Sequence, residues 1–218
     1  MLPHQTAFLE LALQHEVLKF GSFTLKSGRV SPYFFNLGKI SSGAAMTKLA
    51  HAYVAALEAA GLPFDMLFGP AYKGIPLVTA VACAFAQQGR DVPYAYNRKE
   101  AKDHGEGGTL VGAPVQGRVV IVDDVLTAGT ALREAVAMIR KAGATPVAAV
   151  IALDRMERGS GAMTAVAEME RDTGVRVVPL VSVTEVLAYL DRSTGADAGV
   201  AAAIRAYQNQ YGAAVVQA

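Results

Sequence analysis

The feature that most constrains the fold of this chain is an alternation of short aliphatic runs with longer helical segments. The runs are rich in β-branched residues and cover residues 65–69, 92–97, 118–123, 146–153 and 175–181. Helical segments are predicted at Ile75–Gln88, Ala131–Ala142 and Gly161–Thr173. Continuous apolar strands separated by helices are typical of a parallel sheet that helices cover on both faces. The sequence therefore predicts a doubly wound α/β fold with a mainly parallel, five-stranded sheet, and a polar, glycine-rich loop at residues 98–117.

A helix and a hairpin are predicted ahead of this region. Pro3 and the apolar residues that follow it favour an opening helix. The tetrapeptide "KSGR" at residues 26–29 can turn between two extended runs. Ser41 or Ser42 can cap the next helix, which Gly61 ends. We expect one domain over residues 1–218, in which a cap of about residues 1–40 covers the carboxyl edge of a core of about residues 41–218.

Composition and charge exclude several classes of protein. The chain is 52% hydrophobic and 18% charged, which predicts a compact fold, and its net charge of +1 argues against broad nucleic-acid binding. We find neither the apolar run of about 18 residues that a membrane span needs nor a secretory signal, so we expect a cytoplasmic protein. The single cysteine, Cys83, excludes an internal disulfide and is predicted to be a buried thiol.

The stretch "VVIVDDVLTAGTALREA" at residues 119–135 combines two features that seem opposed. Asp123 and Asp124 end a buried strand, where open α/β sheets bind ligands. Gly129 then permits close approach of the backbone at the start of a helix, whose N–H groups can bind a phosphate. A phosphorylated sugar satisfies both, with its hydroxyls on the acids, and carboxylates can also hold Mg²⁺. The alternative is a strand end with a capping acid, and the pattern is neither a nucleotide P-loop nor a dinucleotide fingerprint.

This stretch resembles the phosphoribosyl-diphosphate signature of the type I phosphoribosyltransferases. Further segments are similar to those of bacterial orotate phosphoribosyltransferases, namely Phe23–Asn36, Phe68–Pro76, Asn97–Gly108 and Leu153–Gly159. The resemblance covers nearly the whole chain. It implies Mg²⁺-dependent transfer of ribosyl phosphate from 5-phosphoribosyl 1-diphosphate to orotate, which gives orotidine 5′-phosphate and diphosphate in pyrimidine synthesis. It also implies a homodimer.

The resemblance further implies roles for individual residues. Asp123 and Asp124 would face the ribose hydroxyls, with any Mg²⁺ held mainly by the substrate and through water by these acids. The 5′-phosphate would be wrapped by Val125, Leu126, Thr127, Ala128, Gly129, Thr130 and Ala131. The rest of the donor would contact Lys26, Tyr72, Lys73, Arg98, Lys99, Lys102 and His104, with a non-proline cis peptide near Tyr72. Orotate would contact Phe34, Phe35, Thr127 and Arg155. Catalysis would fall to Lys102, His104, Asp123 and Asp124.

Three of these assignments have a plainer alternative. Arg98, Lys99 and Lys102 can be a solvated charge run, although the glycines that follow favour a closing lid over residues 98–112 that reaches the neighbouring subunit's site. Adjacent strand residues point in opposite directions, so only one of Phe34 and Phe35 can face the base. Arg155 can be an ordinary surface arginine.

Two other classes of function remain open from the sequence. A regulatory protein can use the same fold to sense 5-phosphoribosyl 1-diphosphate, but no basic recognition helix is evident. A transferase for purine bases is the second alternative, which the segments "FTLKSGR" and "SPYFFN" disfavour.

Overall fold

The computed structural model describes residues 1–25, 28–102, 108–126, 129–192 and 198–213. Its main sheet has six strands in the order β5-β4-β3-β6-β7-β8. The strands are β3 (Met66–Gly69), β4 (Tyr94–Lys102), β5 (Gly108–Gly112), β6 (Arg118–Val122), β7 (Thr145–Asp154) and β8 (Arg176–Ser182). Every neighbouring pair is parallel except β4 and β5, so the α/β fold and the mainly parallel sheet are confirmed.

The predicted number of strands was wrong by one. The sixth strand, β5, lies in the segment that the sequence analysis assigned to a loop. It pairs antiparallel with β4, with Tyr96 opposite Val111 and Asn97 opposite Leu110. An edge strand needs a partner on one side only, so five residues bounded by glycines suffice, and so short a run leaves no periodic signal.

Helices cover both faces of the sheet. They are α1 (Pro3–Gln14), α2 (Gly43–Ala60), α3 (Gly74–Gln87), α4 (Thr130–Lys141), α5 (Ala165–Thr173), α6 (Val183–Leu190) and α7 (Ala198–Tyr211). Successive residues of β6 belong to different cores: Val120 and Val122 lie in the cluster that contains α1, α2 and α3, whereas Val119 and Ile121 lie in the cluster that contains α4. Because successive side chains of β6 point to opposite faces of the sheet, a strand that is apolar at every position needs a layer of helices on each face.

Local signals place most helix ends. The Ser42 hydroxyl accepts a hydrogen bond from the Ala45 amide at 3.3 Å, and Gly61 ends α2 with a φ of 62°, as predicted. Helix α5 starts four residues later than predicted, at Ala165, because Thr164 caps it. The prediction for Cys83 was wrong, since this residue of α3 is exposed.

The predicted hairpin consists of β1 (Leu18–Thr24) and β2 (Val30–Phe35), which form a separate antiparallel sheet. Its second strand lies against the loop that follows β7: the Ser31 hydroxyl accepts a hydrogen bond from Arg155. The hairpin therefore reaches the carboxyl end of the main sheet. Within the described ranges, no helix is long and apolar enough to cross a bilayer.

Candidate active site

Two adjacent carboxylates lie where β6 ends. The Asp123 carboxylate accepts a hydrogen bond from the Asp124 amide at 2.8 Å, and the Asp124 carboxylate accepts one from the Val125 amide at 2.7 Å. The other oxygen of Asp124 is 2.5 Å from Lys73 Nζ. From α2, the Tyr53 hydroxyl donates to the Asp123 carbonyl oxygen at 2.8 Å. The backbone that carries the acids is therefore fixed from the neighbouring helix.

The two acids differ in electrostatic environment. The pKa of Asp123 is raised to about 7, chiefly by burial and also by the Asp124 charge, against the lowering effects of the Asp124 amide and Lys73. Asp124 is itself only 8% exposed, but it has Lys73 as a counter-ion. Near neutral pH the pair can thus both accept and donate hydrogen bonds, as binding of vicinal hydroxyls requires.

A helix begins directly after the acids. Gly129 precedes α4 with a φ of 72°, a left-handed conformation that glycine adopts without strain. A glycine offers no side-chain acceptor to the first amides of the helix, which include those of Thr130 and Ala131, so these can bind an anion. Thr127 and Ala128 lie outside the described residues.

The turn between β3 and α3 brings Lys73 to the acids. The peptide bond between Ala71 and Tyr72 is cis, and the Ala71 amide donates to Asn97 Oδ1 at 3.0 Å. The Tyr72 side chain is 66% exposed, and Lys99 Nζ lies 4.9 Å from the centre of its ring. The turn thus joins two contacts, that of Tyr72 with Lys99 and that of Lys73 with Asp124.

Glycines allow this turn to lie close to the sheet. A Cβ atom on Gly74 would come within 2.7 Å of Pro70 Cδ and 2.9 Å of the Val122 carbonyl oxygen. Only glycine therefore permits α3 to start against β3 and β6. The sequence analysis gave this glycine no role, although it stands in the quoted segment "FGPAYKGIP".

Other proposed donor-binding residues are described in part. Arg98 is half-buried and Lys99 is exposed. For Lys102 the structure describes the backbone, within β4, and Lys26 and His104 lie outside the described residues. Their roles stay predictions.

The two phenylalanines of β2 differ in environment, as strand geometry predicts. Phe35 packs against the core, with its ring 6.4 Å from that of Phe8. Phe34 is 39% exposed and packs against Phe23, with ring centres 5.6 Å apart. Phe34 is therefore the more exposed of the two, whereas Phe35 shares the face of β2 with Ser31 and Tyr33, which contact Arg155.

Arg155 is not an ordinary surface arginine. Its side chain is 16% exposed and donates through Nε to Glu157 Oε1 at 2.7 Å. The loop that carries it follows β7, whose Leu153 forms a bridge with Val125 directly after the two acids. Arg155 thus belongs to the same sheet edge as Asp123. Sequence reasoning assigned no role to Glu157, although it stands two residues from Arg155, or to Tyr53, which is 70 residues from Asp123 and carries no local signal.

The chain matches one protein family and many of its members. The family described as "Phosphoribosyl transferase domain" matches residues 40–170. The orotate phosphoribosyltransferase of Cellvibrio japonicus is 52% identical over 213 residues, which are 97% of this chain and 99% of that protein. The orotate phosphoribosyltransferase of Xanthomonas campestris pv. campestris is 55% identical over 216 residues, which are 97% and 98% of the two chains.

Solved structures show the same relationship. The crystal structure of orotate phosphoribosyltransferase from Francisella tularensis has a TM-score of 0.86 and 36% identity, and the match covers 94% of this chain and 99% of that one. Adenine phosphoribosyltransferase from Saccharomyces cerevisiae shares the fold at a TM-score of 0.53, with 16% identity and coverage of 80% and 98%. The chain therefore belongs to the phosphoribosyltransferase family, and within it to the orotate phosphoribosyltransferases.

Proposed function

We propose that this protein catalyses the Mg²⁺-dependent transfer of ribosyl phosphate from 5-phosphoribosyl 1-diphosphate to orotate, which yields orotidine 5′-phosphate and diphosphate for pyrimidine synthesis. The observation that carries the proposal is the arrangement at residues 123–130, where two carboxylates are followed by a helix start with a glycine cap. Relatives that are 52–55% identical over almost the whole chain are orotate phosphoribosyltransferases.

The donor sugar is held from two sides. Asp123 and Asp124 bind the ribose hydroxyls, and the amides at the start of α4 bind the 5′-phosphate together with residues 125–131. We assign Tyr72 and Lys73 to the diphosphate; Lys73 pairs with Asp124 at 2.5 Å, which keeps it beside the acids assigned to the ribose. The anomeric carbon is thereby fixed relative to the base, which lowers the entropic part of the barrier.

The residues then stabilise charge rather than form a covalent intermediate. Cleavage of the anomeric C–O bond leaves positive charge on the ribose and negative charge on the departing diphosphate. Lys73 and Lys99 lie beside the turn that faces this leaving group, and we assign Lys26, Arg98, Lys102 and His104 to the same end. Fixed cations in a site that excludes water stabilise such a transition state.

The residues fit a magnesium ion that the substrate helps to bind. Among the described residues, no group of three or more His, Cys, Asp or Glu side chains could hold a metal ion. Asp123 and Asp124 would hold the ion through carboxylate oxygens or through water, and the substrate's diphosphate and ribose oxygens would supply the other ligands. When bound, Mg²⁺ neutralises charge on the leaving diphosphate.

The acceptor site is formed by β2 and the loop after β7. We assign Phe34 and Phe35 to this pocket: the Phe34 ring is exposed, and Phe35 shares with Ser31 and Tyr33 the face of β2 that contacts Arg155. Arg155 supplies a cation for the carboxylate of orotate, and we assign Thr127 to the same pocket. A purine base lacks that carboxylate and could not form this ion pair.

We further propose a cytoplasmic homodimer in which residues 98–112 reach the neighbouring subunit's site. Lys102→Ala and Asp124→Asn homodimers should each be nearly inactive. Random reassociation makes about half the dimers hybrid, each with one intact site, so activity should recover to about a quarter of the wild-type value. No recovery after verified subunit exchange would show that the loop serves its own subunit.

Turnover assays test the reaction directly. We expect Mg²⁺-dependent release of diphosphate with orotate and little with adenine or hypoxanthine. Turnover with a purine base alone would favour the purine transferase. Binding of 5-phosphoribosyl 1-diphosphate without turnover of any base would favour a regulatory protein.

A further inference from the structure

A single carboxylate in the loop after β7 is shared by two arginines. The Glu157 side chain is 15% exposed. Its Oε1 accepts a hydrogen bond from Arg155 Nε at 2.7 Å and forms an ion pair with Arg155 Nη2 at 2.6 Å. Its Oε2 lies 3.4 Å from Nη1 of Arg29, which directly precedes β2. Glu157 therefore connects the hairpin to the main sheet at the edge that carries the two acids.

The Arg155 guanidinium is held in one orientation by these contacts. Its Nη2 donates to the Ser31 hydroxyl at 3.3 Å, and its Cζ lies 4.4 Å from the centre of the Tyr33 ring. Both partners are almost fully buried. Among the described residues, Glu157 is the only charged group that contacts the guanidinium: Nε donates to its Oε1, and Nη2 forms an ion pair with the same oxygen.

The backbone of the loop does not depend on the Glu157 carboxylate. Asp154 Oδ1 accepts a hydrogen bond from the Met156 amide at 2.8 Å, and Met156 has a positive φ of 51°. From α7, Gln208 Nε2 donates to the Arg155 carbonyl oxygen at 2.9 Å. The main chain is thus secured by other groups, and the carboxylate of Glu157 acts on the two arginine side chains.

The charges of this cluster do not cancel. Arg29 and Arg155 contribute two positive charges and Glu157 one negative charge, which leaves a net charge of +1 in a half-buried position. A one-to-one pair would be neutral and would not attract an anion. A shared carboxylate instead orients the arginine and leaves one positive charge for a ligand.

We propose that Glu157 is a positioning residue that sets the selectivity for a base bearing a carboxylate, by orienting Arg155 against the hairpin without neutralising the cluster. This inference rests on the proposed function. It predicts that loss of Glu157 affects recognition of the base far more than recognition of the ribosyl donor, because Glu157 acts through Arg155.

The first test is Glu157→Met, which keeps the side-chain length and removes both acceptor oxygens. KM for orotate should rise by about tenfold or more, since misplacement of a binding group by about 1 Å costs up to about 100-fold. KM for 5-phosphoribosyl 1-diphosphate should stay within about twofold. Glu157→Gln retains one acceptor, so its orotate KM should lie between those of wild type and Glu157→Met.

A double-mutant cycle shows whether Glu157 acts through Arg155. The variant Arg155→Leu with Glu157→Met should have the same orotate KM as Arg155→Leu alone, because the group that Glu157 orients is gone. If Glu157→Met does not fold, the same cycle with Glu157→Gln decides. Asp65→Asn is the matched control and should leave both KM values unchanged. Asp65 likewise contacts one arginine side chain through two of its nitrogens, those of Arg118, but at the opposite ends of the strands.

Three results would overturn the proposal: equal changes in both KM values, a Glu157→Gln variant as impaired as Glu157→Met, or additive effects in the cycle. Wild-type turnover of orotate is measured first. If it is absent, the proposed function fails. If it is normal while the Glu157 variants keep wild-type constants, only the present inference fails.

Discussion

Two aspartates at opposite ends of the same sheet show how differently its edges are built. Asp65, before β3, accepts three hydrogen bonds from Arg118, whose amide, Nε and Nη2 lie at 2.8, 3.0 and 2.7 Å. These bonds hold the pKa of Asp65 well below its usual range. Asp123, after β6, is buried, and its pKa is raised to about 7. At the amino ends of the strands, Arg118 neutralises the charge of Asp65. At the carboxyl ends, Asp123 keeps hydrogen-bonding capacity free for a ligand.

The arginines of the two edges repeat this contrast. Arg118 is exposed and pairs one-to-one with Asp65. Arg155 is mostly buried and shares Glu157 with Arg29. Exposed pairs contribute little beyond local stability, while a buried cluster with excess charge lowers stability unless something binds to it. The difference indicates that the charged groups at the carboxyl ends of the strands are arranged for binding rather than for stability. Variants at matched positions of the two ends test this comparison.

The largest expected effect is that of Asp124→Asn. Loss of the negative charge should lower kcat by roughly 10³-fold, because the site loses preorganised electrostatic stabilisation. Thermal unfolding should change little, since Asp124 lies beyond the end of β6 and its partner Lys73 is largely exposed. Asp65→Asn is the control at the other edge and should lower the unfolding temperature without changing kcat. If Asp124→Asn retained the wild-type kcat, the claim that Asp124 is needed for turnover and Asp65 is not would be wrong.

The second effect is that of Arg155→Leu on the acceptor. Loss of one partner of a desolvated charged contact costs roughly 2–5 kcal/mol, so kcat/KM for orotate should fall accordingly. The corresponding constant for 5-phosphoribosyl 1-diphosphate, measured at saturating orotate, should fall much less. Arg118→Leu provides the comparison and should leave both constants near wild type. Equal losses for both substrates would show that Arg155 is not part of the base site.

The third effect concerns stability as a function of pH. The folded pKa of Asp123 is about 7, above the ordinary value of 3.8 expected in the unfolded chain, so the folded state holds a proton that the unfolded state loses. Its contribution to stability is complete below about pH 4 and is lost as pH rises towards about 7, by a few kcal/mol at most. Asp65 has the opposite sign, since its folded pKa is depressed: its contribution is present above pH 3.8 and is lost as pH falls.

Urea unfolding of wild type, Asp123→Asn and Asp65→Asn between pH 4 and 8 measures this difference. Asp123→Asn should remove the decrease in stability that wild type shows over this window. Asp65→Asn should keep it. If the unfolding free energy of wild type does not fall between pH 4 and 8 relative to that of Asp123→Asn, the pKa of Asp123 is not raised in the folded state.

The smallest expected effect is that of Asn97→Ala. Its Oδ1 accepts a hydrogen bond from the Ala71 amide and so holds the turn that carries Lys73. Loss of this bond should cost about 1 kcal/mol, seen as a modest rise in KM for 5-phosphoribosyl 1-diphosphate. Asn36→Ala removes a similar bond, to the Gly38 amide at 3.0 Å, outside this turn and is the control. The same KM in both variants would refute a role for Asn97 in donor binding.

The sequence predicted those parts of the molecule whose cause is local. Runs of β-branched residues predicted the parallel strands, and Ser42 and Gly61 predicted the ends of α2. The position of Asp123 and Asp124 at a strand end followed from the four aliphatic residues before them.

The parts that were missed depend on contacts between distant segments. Strand β5 exists because β4 offers it an edge, and Tyr53 reaches Asp123 from another helix. Nothing near Glu157 in the sequence indicates that Arg29, 128 residues away, shares its carboxylate. Cys83 was assigned to a buried position because its helix is apolar overall, but the helix has one exposed side.

The contacts of α7 have a consequence for the order in which the site forms during synthesis. Gln208 binds the carbonyl oxygen of Arg155, and the Ala213 amide donates to the carbonyl oxygen of Met156 at 3.3 Å. The hairpin that supplies Ser31 and Arg29 leaves the ribosome early, whereas α7 follows more than 160 residues later. A nascent chain can therefore form the proposed sugar-phosphate half of the site before the proposed acceptor half. A ribosome that stalls before α7 leaves the Arg155 carbonyl without its hydrogen bond from Gln208.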